Sequence, residues 1–237
     1  MPTKSQLRKR CWQGLRDAEA ARFPGVEGRI PNFVGAEAAA ARLTELPEFV
    51  AARAIKANPD SPQRAVRRAA LRAGKTVFMA VPRLRSEHPF LVLDPTVIDP
   101  PHYWAASSIK GSSQFGTPIG LQDMPPIDLI VTGCVGVGRE GARLGKGGGY
   151  SDLEFALLRE HGRVDENTPI VSTVHPCQLL RRGTVPVESH DITLDAVCTP
   201  QRTLRFADRP ARPSGVDWAL LDPDKRDAIP VLQTGRT

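Results

Sequence analysis

The chain has 237 residues, of which 41% are hydrophobic, and its formal net charge at pH 7 is +6. This length suits one α/β domain with an appendage, large enough to bury most of the surface that the unfolded chain exposes. The positive charge permits nucleic-acid binding but equally suits an enzyme with polyanionic substrates, and aromatic residues, at 5%, are too few to indicate a base-stacking surface.

The sequence has neither a membrane anchor nor a secretion signal that we recognise. A spanning helix needs roughly 18 consecutive apolar residues, and no such run occurs. The segment from Met1 to Lys4 leads into a polar, amphipathic stretch without the apolar core of a signal peptide. The four cysteines are widely spaced without a Cys-x-x-Cys motif, which argues against a zinc knuckle or a disulfide framework. We therefore expect a cytoplasmic protein with reduced, mostly buried thiols.

Apolar and polar segments alternate along the first half of the chain. Thr3 to Ala21 is predicted to be an amphipathic helix, because apolar residues recur every three or four positions and Thr3 is a suitable N-cap. Phe23-Pro24-Gly25 is predicted to end this helix. In chain order, the pattern then predicts a turn or strand at 29–34, helices at 36–46 and 61–73, and strands at 53–57, 76–81 and 90–93.

The second half continues this alternation. Residues 100–120 are rich in Ser, Gly and Pro and are predicted to form an ordered connection. Residues 127–132 form a β-branched run, which is typical of a strand buried on both faces. The pattern further predicts a helix at 151–161, a strand at 169–174 and one or two strands at 192–204. Together these elements predict a three-layer α/β/α sandwich with a mostly parallel, Rossmann-like sheet.

The composition changes after Phe206. The segment from Asp208 to Pro213 is polar and rich in proline. We therefore predict a domain over residues 1–207, followed by a mobile C-terminal extension over residues 208–237. Within the extension, the apolar residues available for docking on the domain are Trp218, Leu220 and Leu221.

A glycine-rich run follows the apolar segment at 127–137. From Arg143 to Asp152 it contains four glycines, two cations and a carboxylate. Exposed backbone amides and positive charge suit a polyphosphate, and a neighbouring carboxylate suits a metal ion. Ligands of parallel α/β sheets bind beyond the carboxyl ends of strands, so we expect the run at that edge. The run predicts a nucleotide site, with a surface loop that binds nothing as the alternative.

Two common nucleotide motifs fit these glycines poorly. The segment from Gly136 to Gly141 has the spacing G-x-G-x-x-G, but a dinucleotide site needs a helix that begins within this motif, and here glycines continue to Gly149. A Walker-type loop needs Ser or Thr after its Gly-Lys pair, whereas Lys146 is followed by Gly147. The run is therefore predicted to be a phosphate loop of another kind.

The run resembles the hallmark of the 5-formyltetrahydrofolate cyclo-ligases, also called methenyltetrahydrofolate synthetases. In that family a strand with Asp-Leu precedes a loop of the form Gly-x-Arg-Leu-Gly-x-Gly-x-Gly-Tyr-Tyr-Asp, and here Asp128-Leu129-Ile130-Val131 precedes the segment Gly141 to Asp152. Lys4 and Arg8 resemble the family's Lys-x-x-x-Arg. Further segments in the family's order are Val81 to Arg85, Cys177-Gln178 and Pro186 to Asp191. The resemblance spans about residues 3 to 206.

The resemblance implies ATP- and Mg²⁺-dependent conversion of 5-formyltetrahydrofolate to 5,10-methenyltetrahydrofolate through a phosphorylated formyl group, with release of ADP and phosphate. It implies catalytic roles for Lys4, Arg143 and Lys146. The implied ATP-binding residues are Lys4, Arg8, Arg143, Leu144, Gly145, Lys146, Gly147, Gly148, Gly149, Tyr150 and Ser151. The implied partners are ATP and a reduced folate, without membrane or nucleic acid, and the oligomeric state is left open.

The resemblance also implies that Asp152 and Asp191 bind the magnesium ion. Each aspartate has a structural alternative. Asp152 is also suited to cap the helix that it begins, and Asp191 is suited to an Asx turn.

Two departures from the family pattern concern the substrate. The family's tandem tyrosine is here Tyr150-Ser151, so one aromatic group for a pterin site is missing. The family's early folate segment is matched only loosely by Ile30 to Glu37. A divergent branch of the family, which includes the methenyltetrahydrofolate-synthetase-domain-containing proteins, is resembled more closely by three segments: Arg29 to Phe33, Arg143 to Gly147 and Gly149 to Glu154. Two alternatives therefore stay open. One is an ATP-using paralogue with another substrate, for example a thiamine-related compound, and the other is an RNA-binding domain that uses Arg64, Arg67, Arg68 and Arg72.

Overall fold

The computed structural model describes residues 2–233, and residues 1 and 234–237 lie outside this part. The α-helices in chain order are α1 (Lys4–Asp17), α2 (Ala36–Thr44), α3 (Pro47–Ala51), α4 (Arg64–Arg72), α5 (Tyr103–Ala106), α6 (Ile109–Phe115), α7 (Tyr150–Glu160) and α8 (Pro223–Ala228). The strands are β1 (Ala21–Arg22), β2 (Asn32–Phe33), β3 (Ala54–Ala57), β4 (Thr76–Ala80), β5 (Phe90–Leu93), β6 (Thr117–Ile119), β7 (Leu129–Val131), β8 (Gly136–Gly138), β9 (Arg143–Leu144), β10 (Ile170–Thr173), β11 (Leu179–Leu180), β12 (Ala196–Cys198) and β13 (Thr203–Arg205).

A sheet of eight strands forms the middle layer, in the order β13-β12-β10-β7-β3-β4-β5-β6. The strands from β12 to β4 are parallel, and antiparallel strands flank them at both edges. After β3 the chain adds β4 on one side and then β7, β10 and β12 on the other, so the strand order reverses between β3 and β7. In open α/β sheets, ligands bind beyond the carboxyl ends of strands at such a reversal.

Both faces of this sheet are buried, as the apolar run at 127–132 predicts. Because successive strand residues point to opposite faces, Leu129 and Val131 join the core beneath α2 and α4, whereas Ile130 joins the core beneath α7. The mostly parallel sheet between two helical layers confirms the predicted α/β/α fold class. Within residues 2–233, no helix has both the length and the apolar character that crossing a membrane requires.

Helix α1 begins as predicted but ends early. The Thr3 hydroxyl accepts a hydrogen bond from the backbone N–H of Gln6, and the Gln6 side chain accepts one from the backbone N–H of Thr3, which forms a capping box. The helix stops at Asp17, and Glu19 adopts a left-handed backbone with φ 51°. The prediction that Phe23-Pro24-Gly25 ends this helix is wrong, because these residues lie in the connection between β1 and β2.

The structure contains a second, three-stranded sheet that the sequence does not predict. It has the order β11-β8-β9 and packs against α1. Its strand β8 contains Gly136 and Gly138, the first glycines of the G-x-G-x-x-G spacing. A Cβ atom on Gly136 would lie 2.8 Å from Sγ of Cys11 in α1, so close packing between strand and helix accounts for this glycine.

Residues 100–120 are more regular than their composition predicts. They form α5 and α6, and β6 then adds an antiparallel strand at the edge of the large sheet. The hydroxyl of Ser108 caps α6 by accepting from the backbone N–H of Gly111. The strand is short and contains Pro118, which an edge strand tolerates, so it lacks the alternating pattern by which strands are predicted.

The described part of the C-terminal extension packs against the domain. Ile229 and Leu232 are 0% and 2% exposed, in the core beneath α7. Of the three apolar residues considered for docking, Leu221 packs on this core, whereas Trp218 and Leu220 are exposed. The mobility of the extension and its boundary at residue 208 stay predictions, and its last residues, 234–237, lie outside the described part.

An arginine also joins the extension to the sheet. Arg212 is buried, and its guanidinium donates to the Asp195 carboxylate at 2.5 Å and to the Thr168 carbonyl at 2.9 Å. Arg209 donates to the other carboxylate oxygen of Asp195 at 2.8 Å. Since Asp195 precedes β12, these ion pairs hold the start of the extension at one end of the large sheet.

Candidate functional site

The glycine-rich run lies beside the reversal of strand order. It begins with β9 and ends in the first turn of α7, whose N-cap is Gly149. Gly147 and Gly149 have φ angles of 106° and 64°, a left-handed backbone that favours glycine over other residues. Gly149 has no side chain that could cap α7, so the first N–H groups of the helix are available to an anion. Asp152 is therefore not the cap of this helix.

Arg143 holds the run in place from inside. Its side chain is buried, and Nε donates to the carbonyl of Gly133, just after β7, at 3.1 Å. One terminal nitrogen donates to Oδ1 of Asp152 in α7, also at 3.1 Å. The guanidinium thus ties the end of a central strand to the first turn of α7. Leu144 is buried beneath α1, so only its backbone can face a ligand.

One predicted metal ligand, Asp152, contacts the backbone beside the other, Asp191. Oδ1 of Asp152 accepts from the backbone N–H of Ile192 at 3.1 Å, and Ile192 directly follows Asp191. Oδ2 of Asp191 accepts from Nζ of Lys4 at 2.6 Å and from the backbone N–H of Glu188 at 2.7 Å. Asp191 therefore closes a local turn and also receives a distant cation.

Lys4 lies between two carboxylates. Its Nζ is 2.6 Å from Asp191 and 2.8 Å from Glu188. Burial lowers the pKa of Lys4, but the hydrogen bonds to Asp191 and Glu188 outweigh burial, so the pKa lies above its ordinary value. The hydrogen bond from Lys4 lowers the pKa of the Glu188 carboxyl. Helix α1 thus delivers a charged ammonium to the turn before β12.

Glu188 and His190 are site residues that the sequence prediction missed. Glu188, His190 and Asp191 offer ligand atoms that all lie within 4.8 Å of one another. Such a group of oxygen and nitrogen donors can bind a cation. Both residues belong to the Pro186 to Asp191 stretch that carries part of the family resemblance. A carboxylate and an imidazole beside Asp191 were therefore the sequence signal that could have indicated them.

Two further cations lie at the run: Arg8, which contacts it from α1, and Lys146, which belongs to it. Nε of Arg8 donates to the carbonyl of Gly145 at 2.7 Å, and burial lowers the pKa of this guanidinium. Nζ of Lys146 lies 3.6 Å from Oδ1 of Asp60, and its side chain is 48% exposed. The structure therefore brings Arg8 of α1 to the run and Lys4 of the same helix to the turn that ends at Asp191, and it leaves Lys146 half exposed.

A buried polar network lies behind the run, and the sequence prediction missed it as well. Lys56 of β3 is 1% exposed. Its ammonium donates to Oδ1 of Asn58 at 2.6 Å and to the carboxylate of Glu154 in α7. Nδ2 of Asn58 donates to the hydroxyl of Ser151 at 2.6 Å. The network joins the carboxyl end of β3 to the first turns of α7, and its one sequence signal was a lysine within an apolar strand.

Ser151 and Tyr150 have different surroundings. Ser151, which stands where the family pattern has its second tyrosine, receives the hydrogen bond from Asn58. Tyr150 is partly buried against the core beneath α7, and Nζ of Lys225 lies 5.2 Å from the centre of its ring. Glu37, from the loosely matched folate segment, is exposed in the first turn of α2.

The four arginines of α4 do not form a common basic face. Arg67 is buried, and its guanidinium donates to the backbone carbonyls of Asn58, Pro59, Asp60 and Ser107. Burial lowers the pKa of Arg67 to about 9. Arg64 and Arg68 lie over the Trp104 ring, at 3.8 and 4.9 Å from its centroid. Arg67 therefore cannot contribute to an RNA-binding surface on this helix.

Comparisons with known proteins agree with the resemblance in the sequence. The family model of the 5-formyltetrahydrofolate cyclo-ligase family matches residues 1–200. The methenyltetrahydrofolate synthase domain-containing protein of Mus musculus is 37% identical over 235 residues, which cover 99% of this chain and 63% of the mouse protein. The 5-formyltetrahydrofolate cyclo-ligase of Escherichia coli K12 is 29% identical over 135 residues, which cover 55% of this chain and 66% of the bacterial protein.

A solved structure has the same fold. The 5,10-methenyltetrahydrofolate synthetase of Aquifex aeolicus superposes with a TM-score of 0.54 at 21% identity, over 87% of this chain and 94% of the Aquifex chain. Because the family model covers most of the sequence, the chain belongs to the 5-formyltetrahydrofolate cyclo-ligase family.

Proposed function

We propose that the protein catalyses the conversion of 5-formyltetrahydrofolate to 5,10-methenyltetrahydrofolate, with cleavage of ATP to ADP and phosphate. One observation carries this proposal: three distant segments converge, namely Lys4 and Arg8 of α1, the glycine-rich run, and the turn that ends at Asp191. Phosphoryl transfer needs cations, backbone amides and carboxylates at one place, chiefly for positioning and charge neutralisation.

The glycine-rich run is proposed to bind the phosphates of ATP. Its glycines leave backbone N–H groups uncovered by side chains, and the uncapped N-terminus of α7 adds the positive end of a helix dipole. Arg8 contacts the run and Lys146 is part of it, and both supply positive charge to the phosphates. The buried side chain of Arg143 holds the run in place by its hydrogen bonds to Gly133 and Asp152.

Asp152 and Asp191 are proposed to hold the magnesium ion. Mg²⁺ prefers oxygen donors and is usually bound by one or two carboxylates together with substrate phosphates, which fits two aspartates beside a phosphate loop. When bound, Mg²⁺ supplies charge neutralisation to the phosphates. In the protein alone Lys4 pairs with Asp191 and the buried Arg143 pairs with Asp152, so each carboxylate already has a cation beside it.

The proposed reaction balances without a protein nucleophile. The formyl oxygen attacks the γ-phosphorus of ATP, the bond to the β-phosphate oxygen breaks, and ADP leaves. N10 then attacks the formyl carbon and loses its proton, and the bond between that carbon and the transferred oxygen breaks. Phosphate departs with the formyl oxygen. The protein's contribution is to align the two substrates and to stabilise the charge on the transferred group, for which Lys4 and Lys146 are the proposed cations.

A second candidate function is an ATP-using paralogue that acts on another substrate, for example a thiamine-related compound. It is favoured by the contact between Asn58 and Ser151, because a polar pair occupies the position of the aromatic group that would wall a pterin. The mouse relative, a domain-containing protein, also covers more of this chain than the bacterial cyclo-ligase does.

The two candidates are distinguished by turnover. The protein is incubated with 5-formyltetrahydrofolate and MgATP, methenyltetrahydrofolate is followed by its absorbance, and ADP is measured in parallel. Product and ADP in equal amounts support the first candidate. Binding of MgATP without any methenyltetrahydrofolate formed contradicts the first candidate and leaves the second.

Binding of MgATP by the run is tested separately from turnover of the folate. Lys146→Ala is expected to weaken MgATP binding by about tenfold, since it removes one charge-assisted hydrogen bond to phosphate. Lys110→Ala, which removes an exposed lysine from α6, is the matched control. Equal MgATP affinity in Lys146→Ala and wild type counts against the run as the phosphate site.

A further inference from the structure

The C-terminal extension reaches the glycine-rich run through Lys225 of α8. Nζ of Lys225 donates to the carbonyl of Gly148 at 2.8 Å and lies 5.2 Å from the centre of the Tyr150 ring. A Cβ atom on Gly149 would lie 3.2 Å from the same nitrogen. One side chain of the extension therefore touches three consecutive residues where the run becomes α7.

A cavity of about 120 Å³ lies between the extension and the site. Gly149, Asp152 and His190 line it from the domain, and Asp217, Leu221 and Lys225 line it from the extension. The extension thus forms one wall of a space that borders the run and a proposed metal ligand.

Lys225 differs from most cations at the site in its partners. Lys4, Arg143 and Lys146 each face a carboxylate. In residues 2–233, Lys225 and Arg8 have backbone carbonyls as partners and no carboxylate within ion-pair distance. An ammonium group has three N–H donors, so Lys225 has donors left for a ligand beside its bond to Gly148. Arg8 and Lys225 hold the run from two different helices.

The position of Lys225 is fixed by its surroundings. Asp222 caps α8 by accepting from the backbone N–H groups of Asp224 and Lys225. Just after α8, Ile229 and Leu232 are buried in the core beneath α7. The helix that carries Lys225 is thereby capped at its start and docked on the domain just after its end, which lowers the entropic cost of holding this cation at the run.

We propose that Lys225 is a nucleotide-binding residue whose ammonium binds a phosphate oxygen of ATP on the run, so that the C-terminal extension completes the site. This inference rests on the proposed use of ATP. It lies outside the segment matched by the family model, which ends at residue 200, whereas the mouse relative aligns with 99% of the chain.

The experiment compares wild type with Lys225→Ala, Lys225→Arg and Arg226→Ala. Isothermal titration calorimetry gives the affinity for MgATP, and competition gives the affinity for adenosine, which lacks phosphates. Arg226 is the matched control, because it is the next residue of α8 and its guanidinium lies 3.6 Å from its neighbour Asp227. Removal of one charge-assisted contact is expected to weaken MgATP binding by about tenfold in Lys225→Ala. Adenosine affinity stays unchanged, Lys225→Arg retains most of the MgATP affinity, and Arg226→Ala behaves as wild type.

Two results overturn the assignment of Lys225. One is equal MgATP affinity in Lys225→Ala and wild type, and the other is an equal loss for MgATP and adenosine, which would indicate a general disturbance. Lys225→Gln, with a similar length and no charge, gives the same comparison if Lys225→Ala does not fold. A wild type without affinity for MgATP contradicts the proposed function itself, and this failure is seen before any variant is made.

Discussion

Lys4 and Asp191 are 187 positions apart in the sequence, and their side chains meet at 2.6 Å. The contact brings the first turn of α1 against the turn before β12. It joins a predicted phosphate-binding cation to a predicted magnesium ligand, with Glu188 as a second carboxylate on the same ammonium. The site is therefore assembled by tertiary structure from both ends of the domain.

Replacing Lys4 by Met is expected to impair turnover more than folding. The variant loses a cation from the phosphate site and leaves two neighbouring carboxylates without their partner. The expected loss in kcat/KM for ATP is on the order of a hundredfold, as for other charge-stabilising groups. Steady-state kinetics and thermal melting measure the two effects. Lys9→Ala, on the exposed side of α1, is the control, and wild-type kcat/KM in Lys4→Met would contradict the proposed role.

The ion pair of Lys4 and Glu188 gives stability a defined pH dependence. The pKa of Glu188 is lowered by its hydrogen bond from Lys4, so this contribution is present above the ordinary carboxyl pKa of 4.5 and is lost as pH falls through the lowered pKa. The raised pKa of Lys4 means that its contribution is complete below 10.5 and is lost as pH rises through the folded-state value.

Glu188→Gln tests this dependence in urea unfolding. At pH 7 the variant is expected to be less stable than wild type by at most about 1 kcal/mol, because Glu188 is largely exposed and solvent screens the pair. The difference should vanish below the lowered pKa of Glu188. A difference that is constant from pH 7 into the acid range would show that the charge of Glu188 is not its cause.

Lys56 and Glu154 are expected to be strongly coupled. Each is buried, so removing one leaves an uncompensated charge in the interior. Lys56→Met or Glu154→Leu alone should lower the free energy of unfolding by about 3–5 kcal/mol, whereas the double variant should cost less than the sum of the two. Urea unfolding of the four proteins gives the coupling energy. Additive single effects would mean that the two side chains do not act as a pair.

The cysteines are expected to differ in reactivity. Burial raises the pKa of the Cys11 thiol to about 12 and that of Cys134 to about 11, and it also raises the pKa of Cys198. Cys177 is only partly buried. At pH 8 a thiol reagent should therefore modify Cys177 in the folded protein and the other three after unfolding. Cys177→Ser should remove the reaction of the folded protein, and rapid modification of a buried thiol would contradict the burial described.

The glycine-rich run and the fold class could be predicted because each depends on local pattern. Apolar β-branched residues at 127–132 indicate a buried strand, and glycines at left-handed positions such as Gly147 indicate a special loop. Lys56 could not be predicted as a buried ion pair, because its partner Glu154 lies on another element and the pairing depends on packing. Gly136 belongs to a G-x-G-x-x-G spacing in the sequence, whereas close packing against Cys11 explains it in the structure.

The role of the extension was also beyond sequence pattern. Its polar, proline-rich composition predicts mobility, and two buried side chains, Ile229 and Leu232, carry its docking in the structure. Two residues are too few to give a periodic signal. The role proposed for Lys225 follows from its hydrogen bond to Gly148, which lies 77 positions away in the sequence.

The central claim is that this site transfers the γ-phosphoryl group of ATP to the formyl oxygen of 5-formyltetrahydrofolate. Substrate labelled with ¹⁸O in the formyl group tests it most directly, with mass spectrometry of the phosphate released during turnover with MgATP. We predict labelled phosphate in an amount equal to the methenyltetrahydrofolate formed. Unlabelled phosphate, or no product from a protein that binds MgATP, would contradict the claim.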